Sequence, residues 1–318
     1  MVINNHIKSF AMMKEISIKM YVWSFVFLFF VAVQVSAQSR AIEVKLWNNS
    51  LPNSNGHDDG TYDIADKNYK PLMRVFLPSD KKVQRRAILC FPGGGYSQTS
   101  GVDRYTKTWV PYYMNQGIVF ILLRYREPYG NPEVTLSDAY EGMRQIKLHA
   151  KEWGINPDDI GVQGLSAGGH LASTFVTHVP DSMRPAFQIL IYPVITFDDK
   201  YSFVHVGSRD NFIGKKPNVS SFADSISYRR AEAKYDSQVN LYSNEKQVKS
   251  NNPRAFIAVS DNDKLLMNSI LYYTALHNMN ISAAIHVYPS GGHGWHIDDG
   301  RFPYSALVKD ELTAWLRP

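Results

Sequence analysis

Cysteine is almost absent from this sequence of 318 residues, which contains only Cys90, within the apolar run AILCF. A single thiol excludes an intramolecular disulfide, so the burial of apolar side chains has to stabilise the fold. Enough such side chains are present, because 44% of the residues are hydrophobic and 20% are charged, an ordinary globular composition. The length suits one large α/β domain or two smaller ones.

Clusters of basic residues and internal repeats are also missing. The formal net charge is +5, and no lysine-arginine run follows the N-terminal segment, so the sequence does not indicate a nucleic-acid partner. No HExxH helix motif occurs either, which removes the best-known sequence signature of a zinc hydrolase.

The N-terminal segment has the three parts of a secretory signal peptide. Lys14 and Lys19 precede the apolar run Met20–Val35, and a small-residue cleavage site of the A-x-A type ends at Ala37. The alternative is a membrane anchor, but the run is shorter than the roughly 20 residues that a spanning helix needs. We therefore predict that residues 1–37 are a signal peptide and that the protein is exported, periplasmic or extracellular, without a stable membrane anchor.

After residue 40 the apolar pattern alternates between extended and helical segments. Several extended runs are continuously apolar, which is typical of strands buried on both faces of a sheet. The alternation predicts an α/β fold with one doubly wound, mostly parallel sheet and helices on both faces, in a single domain over residues 38–318. The predicted strands are Ile42–Trp47, Leu72–Leu77, Ala87–Phe91, Ile118–Arg124, Ile160–Gln163, Ile189–Tyr192, Ala255–Ser260 and Ala283–Tyr288, and the predicted helices are Arg104–Gln116, Leu136–Glu152, Ala167–Thr177, Leu266–Asn278 and Pro303–Leu316.

One segment, about residues 196–252, interrupts this alternation. It is polar and rich in aromatic residues, and it shows no regular pattern. Long stretches outside the regular elements of a domain are usually functional lids or insertions. We interpret this segment as a small cap over the functional site and not as a second domain.

The stretch GVQGLSAGGHLAS, residues 161–173, places Ser166 in a G-x-S-x-G pattern between a predicted strand and a predicted helix. In this context the pattern is typical of a nucleophile elbow, a tight turn that presents a serine hydroxyl at the carboxyl end of a sheet. Small neighbours are needed because the turn is strained. The alternative is a glycine-rich turn that only packs the helix on the strand.

A serine hydroxyl needs a base, and after an elbow the chain order is serine, then an acid, then histidine. His293 lies in the glycine-rich loop YPSGGHGWH after the last predicted strand. His296 is the competing candidate, and the pair also has a spacing that a metal could use, although the sequence places no third ligand.

The acid is expected directly after the strand AFIAVS, where Asp261 and Asp263 both occur. We favour Asp263, because Asp261 stands where a turn would cap the strand end. The acid would orient the imidazole and stabilise its charged form.

Donors for a developing oxyanion are expected from a second strand end. The run CFPGGGYS ends a predicted strand in glycines, whose backbone N–H groups can face a ligand without side-chain obstruction. We predict that the N–H groups of Gly94, Gly95 and Ala167 form the oxyanion hole.

The stretches CFPGGGY, GLSAGGHLAS, GSRDNFIG, VSDNDKLL and YPSGGHGW together resemble the α/β-hydrolase superfamily, and within it the secreted bacterial carbohydrate esterases of the acetyl xylan esterase and feruloyl esterase-like group. The resemblance covers about residues 70–296. It implies the α/β-hydrolase fold and supports Asp263 as the acid. Two features depart from the group: Leu265-Leu266-Met267 after the acid, and a long cap.

We therefore predict a serine carboxylic ester hydrolase that needs no cofactor and no metal. Its expected partner is an ester substrate, an acylated polysaccharide or oligosaccharide. Tyr96 and Trp295 are predicted to contact this substrate, together with cap aromatics such as Phe212 and Tyr228. The alternatives are a peptidase of the same fold and a non-catalytic binding protein built on a hydrolase scaffold.

Overall fold

An eight-stranded sheet organises the chain. The computed structural model describes residues 41–317 apart from residues 49, 64–65, 67–68, 80–84 and 99–101. The predicted signal peptide lies outside the described residues. The strands are β1 (Ile42–Lys45), β2 (Leu72–Phe76), β3 (Arg85–Phe91), β4 (Val119–Arg124), β5 (Ile155–Leu165), β6 (Phe187–Ile191), β7 (Arg254–Ser260) and β8 (Ala283–Tyr288).

The strand order is β1-β2-β4-β3-β5-β6-β7-β8. β1 pairs with β2 and β2 with β4 in antiparallel register, whereas all pairs from β4 to β8 are parallel. Every residue of β4 and β6 is buried, as continuous apolar runs require when both faces of a sheet are covered. The predicted fold class, a mostly parallel α/β sheet, is confirmed.

Helices cover both faces of the sheet. On one face Leu89 packs in a core with side chains of α3, α5 and α8, and on the other Ile88 and Cys90 pack with α1, α2 and α9. Neighbouring residues of one strand thus enter opposite cores, as the two-residue period of a strand dictates. The helices are α1 (Val102–Lys107), α2 (Trp109–Asn115), α3 (Pro132–Leu148), α4 (Ala150–Trp153), α5 (Ala167–His178), α6 (Val206–Ile213), α7 (Ser225–Leu241), α8 (Leu266–Asn278) and α9 (Ser305–Leu316).

The predicted helix Arg104–Gln116 is wrong as a single element, because α1 ends and α2 begins around Thr108. Pro111 explains the break, since proline has no N–H to donate and its ring clashes with the carbonyl four residues earlier, that of Lys107. Thr108 also bonds its hydroxyl to the Arg104 carbonyl oxygen at 2.7 Å, which is typical of a bent helix.

The segment 196–252 is more regular than its sequence suggests. It contains α6, α7 and two short 3₁₀ turns, Val219–Ser221 and Asn244–Lys246. Of the residues of α7 only Tyr235 is buried, so this helix has no apolar stripe that a periodicity argument could detect. Asp224 caps it by accepting a hydrogen bond from the Ser227 N–H at 2.8 Å.

No helix in the described part of the chain is long and apolar enough to cross a membrane.

Candidate active site

Ser166 occupies a strained turn between β5 and α5. Its backbone angles are φ 56° and ψ −120°, in a region that residues other than glycine rarely adopt. A methyl group on Gly164 would lie 2.0 Å from the Gly168 carbonyl oxygen, and one on Gly168 would lie 2.0 Å from the Phe91 carbonyl oxygen. Glycine is therefore required on both sides because backbone meets backbone there.

Gly164→Ala is expected to lower the free energy of unfolding by about 3 kcal/mol, because the rigid backbone of Gly168 cannot move away cheaply. Urea unfolding followed by circular dichroism measures the loss. Gly207→Ala is the matched control, since its methyl group would meet nothing closer than 3.6 Å. The free energy of unfolding of this variant should equal that of the wild type or be slightly higher. Equal stability of Gly164→Ala and the wild type would contradict this account of the turn.

The structure brings Ser166, His293 and Asp263 into one chain of hydrogen bonds. The Ser166 Oγ is 2.8 Å from His293 Nε2, and His293 Nδ1 is 2.8 Å from Asp263 Oδ2. Because a carboxylate can only accept, Nδ1 carries the proton and donates it to Asp263, which leaves Nε2 free to accept from the serine hydroxyl. The imidazole is thus held in the tautomer that can act as a base.

Of the two candidate acids, only Asp263 contacts the histidine. Its side chain is fully buried, and its second oxygen accepts the Leu265 N–H at 2.8 Å. Asp261 is exposed, and its backbone N–H donates to the Tyr288 carbonyl oxygen at 2.7 Å, a contact that closes the strand end. The neighbouring Asn262 accepts the Gly292 N–H at 2.8 Å and so ties the acid loop to the histidine loop.

The loop that carries His293, residues 288–296, is also held by side chains from other segments of the chain. Arg104 of α1 donates to the Gly294 carbonyl oxygen at 2.8 Å and forms an ion pair with Asp299. Tyr192, the residue after β6, donates to the Trp295 carbonyl oxygen at 2.5 Å, and its ring centroid is 4.7 Å from that of His293. These contacts fix the backbone on which the His293 ring is mounted.

His296, the other candidate base, does not contact Ser166. It is 5% exposed, and its Nδ1 lies 3.1 Å from the Thr108 hydroxyl. Burial, reinforced by the charge of Arg104, lowers the pKa of His296 to about 3, so the ring is neutral at pH 7. Within the described residues no group of three or more His, Cys, Asp or Glu is placed to hold a metal ion.

The glycine loop after β3 is braced on three sides. The Gly93 N–H donates to the Tyr105 hydroxyl at 3.0 Å, and the Tyr125 hydroxyl donates to the Pro92 carbonyl oxygen at 2.6 Å. Asn211, in α6 of the segment 196–252, donates its side-chain amide to the Gly95 carbonyl oxygen at 2.9 Å. The loop is therefore rigid although it consists of glycines.

A pocket of about 310 Å³ opens over Ser166. Gly94 and Gly95 line it, whereas Ala167 is not among the lining residues. Ala167 is the first residue of α5, where the N–H groups have no acceptor within the helix. The other lining residues are Gly93, Arg104, Tyr105, Leu165, Tyr192, His205, His293, Gly294 and His296.

Tyr96 and Trp295 do not line this pocket, and the expectation that they contact a substrate is corrected by their burial. Both are 2% exposed. The Tyr96 hydroxyl lies 2.9 Å from Nδ1 of the buried His170, and Trp295 stacks on Phe302 with ring centroids 4.0 Å apart. Phe212 is likewise fully buried. Burial of a large apolar ring is favourable, and these three rings are accordingly in the core and not at the pocket surface.

Four polar side chains that line the pocket were not singled out from the sequence as site residues: Arg104, Tyr105, Tyr192 and His205. His205 caps α6 and accepts from the Ser208 N–H at 3.1 Å through Nδ1, which leaves its Nε2 as the proton-bearing nitrogen of the neutral ring. Burial and then the charge of His293 lower the pKa of His205 and favour that neutral form. Arg104 and Tyr105 lie on α1, Tyr192 follows β6 and His205 precedes α6, so no local motif identifies them.

The class of protein that this fold and site define is confirmed by comparison. Residues 88–297 match the family described as having the alpha/beta hydrolase fold. The match runs from β3 through the elbow and the acid to the histidine loop, and this chain belongs to that family. The predicted resemblance to the superfamily is thereby confirmed.

Among curated relatives, an acetylxylan esterase of Xylanibacter ruminicola is 35% identical over 254 residues, which are 78% of this chain and 48% of the relative. An endo-1,4-beta-xylanase B of Butyrivibrio fibrisolvens is 27% identical over 260 residues, 75% of this chain and 36% of the relative. This chain thus spans about half of the first relative's length and about a third of the second's.

Among solved structures, an acetyl ester-xyloside bifunctional hydrolase from Caldicellulosiruptor lactoaceticus superposes with a TM-score of 0.64 at 27% identity, covering 87% of this chain and 97% of that one. A thermophilic esterase from Thermogutta terrifontis superposes with a TM-score of 0.62 at 19% identity, over 88% of this chain and 94% of that one, which is a similarity of fold.

Proposed function

We propose that this protein is an exported serine carboxylic ester hydrolase that removes acetyl groups from plant polysaccharide, foremost from acetylated xylan. The observation that carries the proposal is the hydrogen-bonded chain of Ser166, His293 and the buried Asp263, whose serine and histidine line an open pocket. The similarity to an acetylxylan esterase and to an acetyl ester-xyloside hydrolase supports the acetyl group and the sugar.

Acylation begins when His293 Nε2 takes the Ser166 proton and the serine Oγ attacks the ester carbonyl carbon. The buried Asp263 carboxylate stabilises the imidazolium that forms. The N–H groups of Gly94, Gly95 and Ala167 receive the negative charge of the tetrahedral oxygen, assisted by the N-terminus of α5. His293 then gives its proton to the leaving alcohol oxygen, and an acetyl-serine remains.

Deacylation repeats these steps with water as the nucleophile. His293 takes a proton from the water, the hydroxide oxygen attacks the acetyl carbon, and the proton passes to the Ser166 Oγ as acetic acid leaves and loses its remaining acidic proton to the solvent. No step needs a cofactor, since the proton moves between residues of the chain and the charge is held by backbone N–H groups.

The composition of the pocket wall supports a short acyl group. Leu165 is the one aliphatic side chain among the described residues that line it, and the rest of the wall is glycine, tyrosine, histidine, arginine and the serine itself. A long fatty acyl chain would leave apolar surface in contact with these polar groups or with water, and each such methylene forgoes about 0.8 kcal/mol.

Hydrolysis of a series of p-nitrophenyl esters and of acetylated xylan tests the proposed substrate. The value of kcat/KM is expected to fall gradually from acetyl to butyryl, because one methylene changes binding by only about 1–3 kcal/mol, and then steeply. Acetate release from acetylated xylan, quantified by chromatography, is the second readout. A preference for octanoyl or longer esters without release of acetate would contradict the proposal and indicate a lipase.

Export is tested at the N-terminus, in residues that the structure does not describe. The protein recovered outside the cytoplasm is expected to begin at Gln38, because the cleavage site ends at Ala37. Peptide mass spectrometry of the secreted or periplasmic fraction measures this terminus. An intact segment 20–37 on protein extracted from membranes would contradict cleavage and favour an anchor.

A further inference from the structure

A second pocket, of about 510 Å³, lies where β1 ends and the chain enters β2. Its volume is within the roughly 300–1,000 Å³ that ligand pockets occupy. It shares no lining residue with the pocket over Ser166, and the proposed ester hydrolysis makes no use of it. Its walls include Lys45, Trp47, Asn48, Ser50, Tyr62 and Lys70.

The two aromatic side chains of this pocket are fixed in place. The Trp47 indole N–H donates to the buried Asp138 carboxylate at 2.8 Å, and the Tyr62 hydroxyl donates to the Trp47 carbonyl oxygen at 3.2 Å. A partly buried ring that is already held by its polar atom loses little conformational freedom when a ligand packs on it. A sugar ring suits such a wall, because its C–H face is apolar while its hydroxyl rim can bond to Asn48 and Ser50.

Two positive charges converge on the same ring. The Nζ atoms of Lys45 and Lys70 lie 4.6 Å and 5.9 Å from the Tyr62 ring centroid. Within the described part of the chain neither ammonium group forms an ion pair with a carboxylate. The Tyr62 ring attracts the ammonium groups through its quadrupole and leaves their charge available to an anion.

Asp58 is the acidic residue among the described lining residues, and it lies next to the guanidinium of Arg126. Its Oδ1 lies 3.5 Å from Nη1 of the buried Arg126, and its Oδ2 accepts the Ser54 hydroxyl at 2.5 Å. Arg126 is also paired with the buried Asp138 at 2.9 Å, so among the described residues the three cations Lys45, Lys70 and Arg126 outweigh the two carboxylates Asp58 and Asp138 by one positive charge.

We propose that this second pocket binds an acidic sugar, a saccharide unit that carries a carboxylate, with Lys45 and Lys70 on the carboxylate and Trp47 and Tyr62 along the sugar. It would hold an acidic oligosaccharide on the protein at a place separate from Ser166. The neutral hydrogen-bonding groups and the fixed rings favour a saccharide over a bare inorganic anion.

Isothermal titration calorimetry on the Ser166→Ala protein tests the site without turnover. The probe is a xylo-oligosaccharide with one glucuronic acid unit, and its matched control is the same molecule with the carboxyl reduced to a hydroxymethyl group. The acidic probe is expected to bind about tenfold more tightly than the reduced one, and this advantage should shrink in 0.5 M salt, as expected for partly exposed charges. Equal binding of the two probes would overturn the proposal whatever the behaviour of any variant.

Variants test whether the acidic probe binds at Lys45 and Lys70. The pair Lys45→Gln with Lys70→Gln is expected to remove the tenfold advantage of the acidic probe, whereas the charge-matched pair Lys107→Gln with Lys151→Gln, two exposed lysines outside the pocket, should keep it. Loss of affinity in both pairs, or in neither, would overturn the proposal, as would displacement of the probe by an equal concentration of inorganic phosphate. Because binding is measured without ester hydrolysis, failure of this site and failure of the proposed esterase activity are separate outcomes.

Discussion

Ser166→Ala is expected to lower kcat/KM for ester hydrolysis by roughly 10⁶-fold, and His293→Ala by a similar factor, because each removes the group that makes or activates the nucleophile. The two losses should not add in the double variant, since the serine and the histidine act as one unit across the 2.8 Å hydrogen bond between Oγ and Nε2. Steady-state kinetics with p-nitrophenyl acetate, corrected for the uncatalysed rate, measure all three proteins.

Ser137→Ala is the matched control for this experiment. Ser137 is a half-buried serine of α3 whose hydroxyl donates to the Val134 carbonyl oxygen at 2.8 Å, away from the pocket, so its loss should leave the rate unchanged. Thermal unfolding should show that the Ser166→Ala protein is folded. If a folded Ser166→Ala protein kept wild-type rates on every ester that the wild type hydrolyses, the serine mechanism would be refuted.

Asp263→Asn is expected to lower the rate by about 10⁴-fold. An amide can donate to Nδ1 and thereby favour the tautomer that presents a proton to the serine, which cannot act as a base. Asp261→Asn should change the rate by less than about tenfold, because the Asp261 side chain is exposed and only its backbone N–H closes the strand end. Both variants replace a carboxylate by an amide on the same turn, so each is a control for the other.

The same kinetics, repeated from acid to alkaline pH, separate the roles further. Losses in the reverse order would transfer the orienting role to Asp261 and would mean that the turn after β7 rearranges when substrate binds. Losses of equal and small size in both variants would remove the acid from the mechanism altogether.

The centre of the sheet was predictable because β3, β4, β6 and β7 are largely apolar and buried on both faces, so that their composition marks them. The helix α8 was predicted with its observed bounds, Leu266–Asn278. The elbow was predictable for a different reason: backbone contacts between Gly164, Gly168 and Phe91 leave room for no side chain, and such a restriction is visible as glycine in the sequence.

What could not be predicted depends on contacts between distant segments. Tyr96 and Trp295 lie beside site residues in the sequence but point into the core, and nothing local distinguishes a ring that packs inward from one that faces a ligand. Arg104 reaches the histidine loop from α1, and His205 reaches the pocket from the segment 196–252. Their positions follow from how helices pack on the sheet, which the pattern of one segment does not contain.

The hydrogen bond from Asn211 to the Gly95 carbonyl oxygen constrains how the segment 196–252, which we interpret as a cap, can be exchanged. A chimaera that receives the whole cap of a relative would obtain a new wall for the pocket, but it would also lose this amide unless the donor sequence supplies an equivalent one. The glycines that we propose as oxyanion donors would then be free to sample other backbone angles, and turnover would fall even for substrates too small to touch this segment. Engineering of specificity by cap exchange should therefore treat Asn211 as part of the recipient scaffold and keep it fixed.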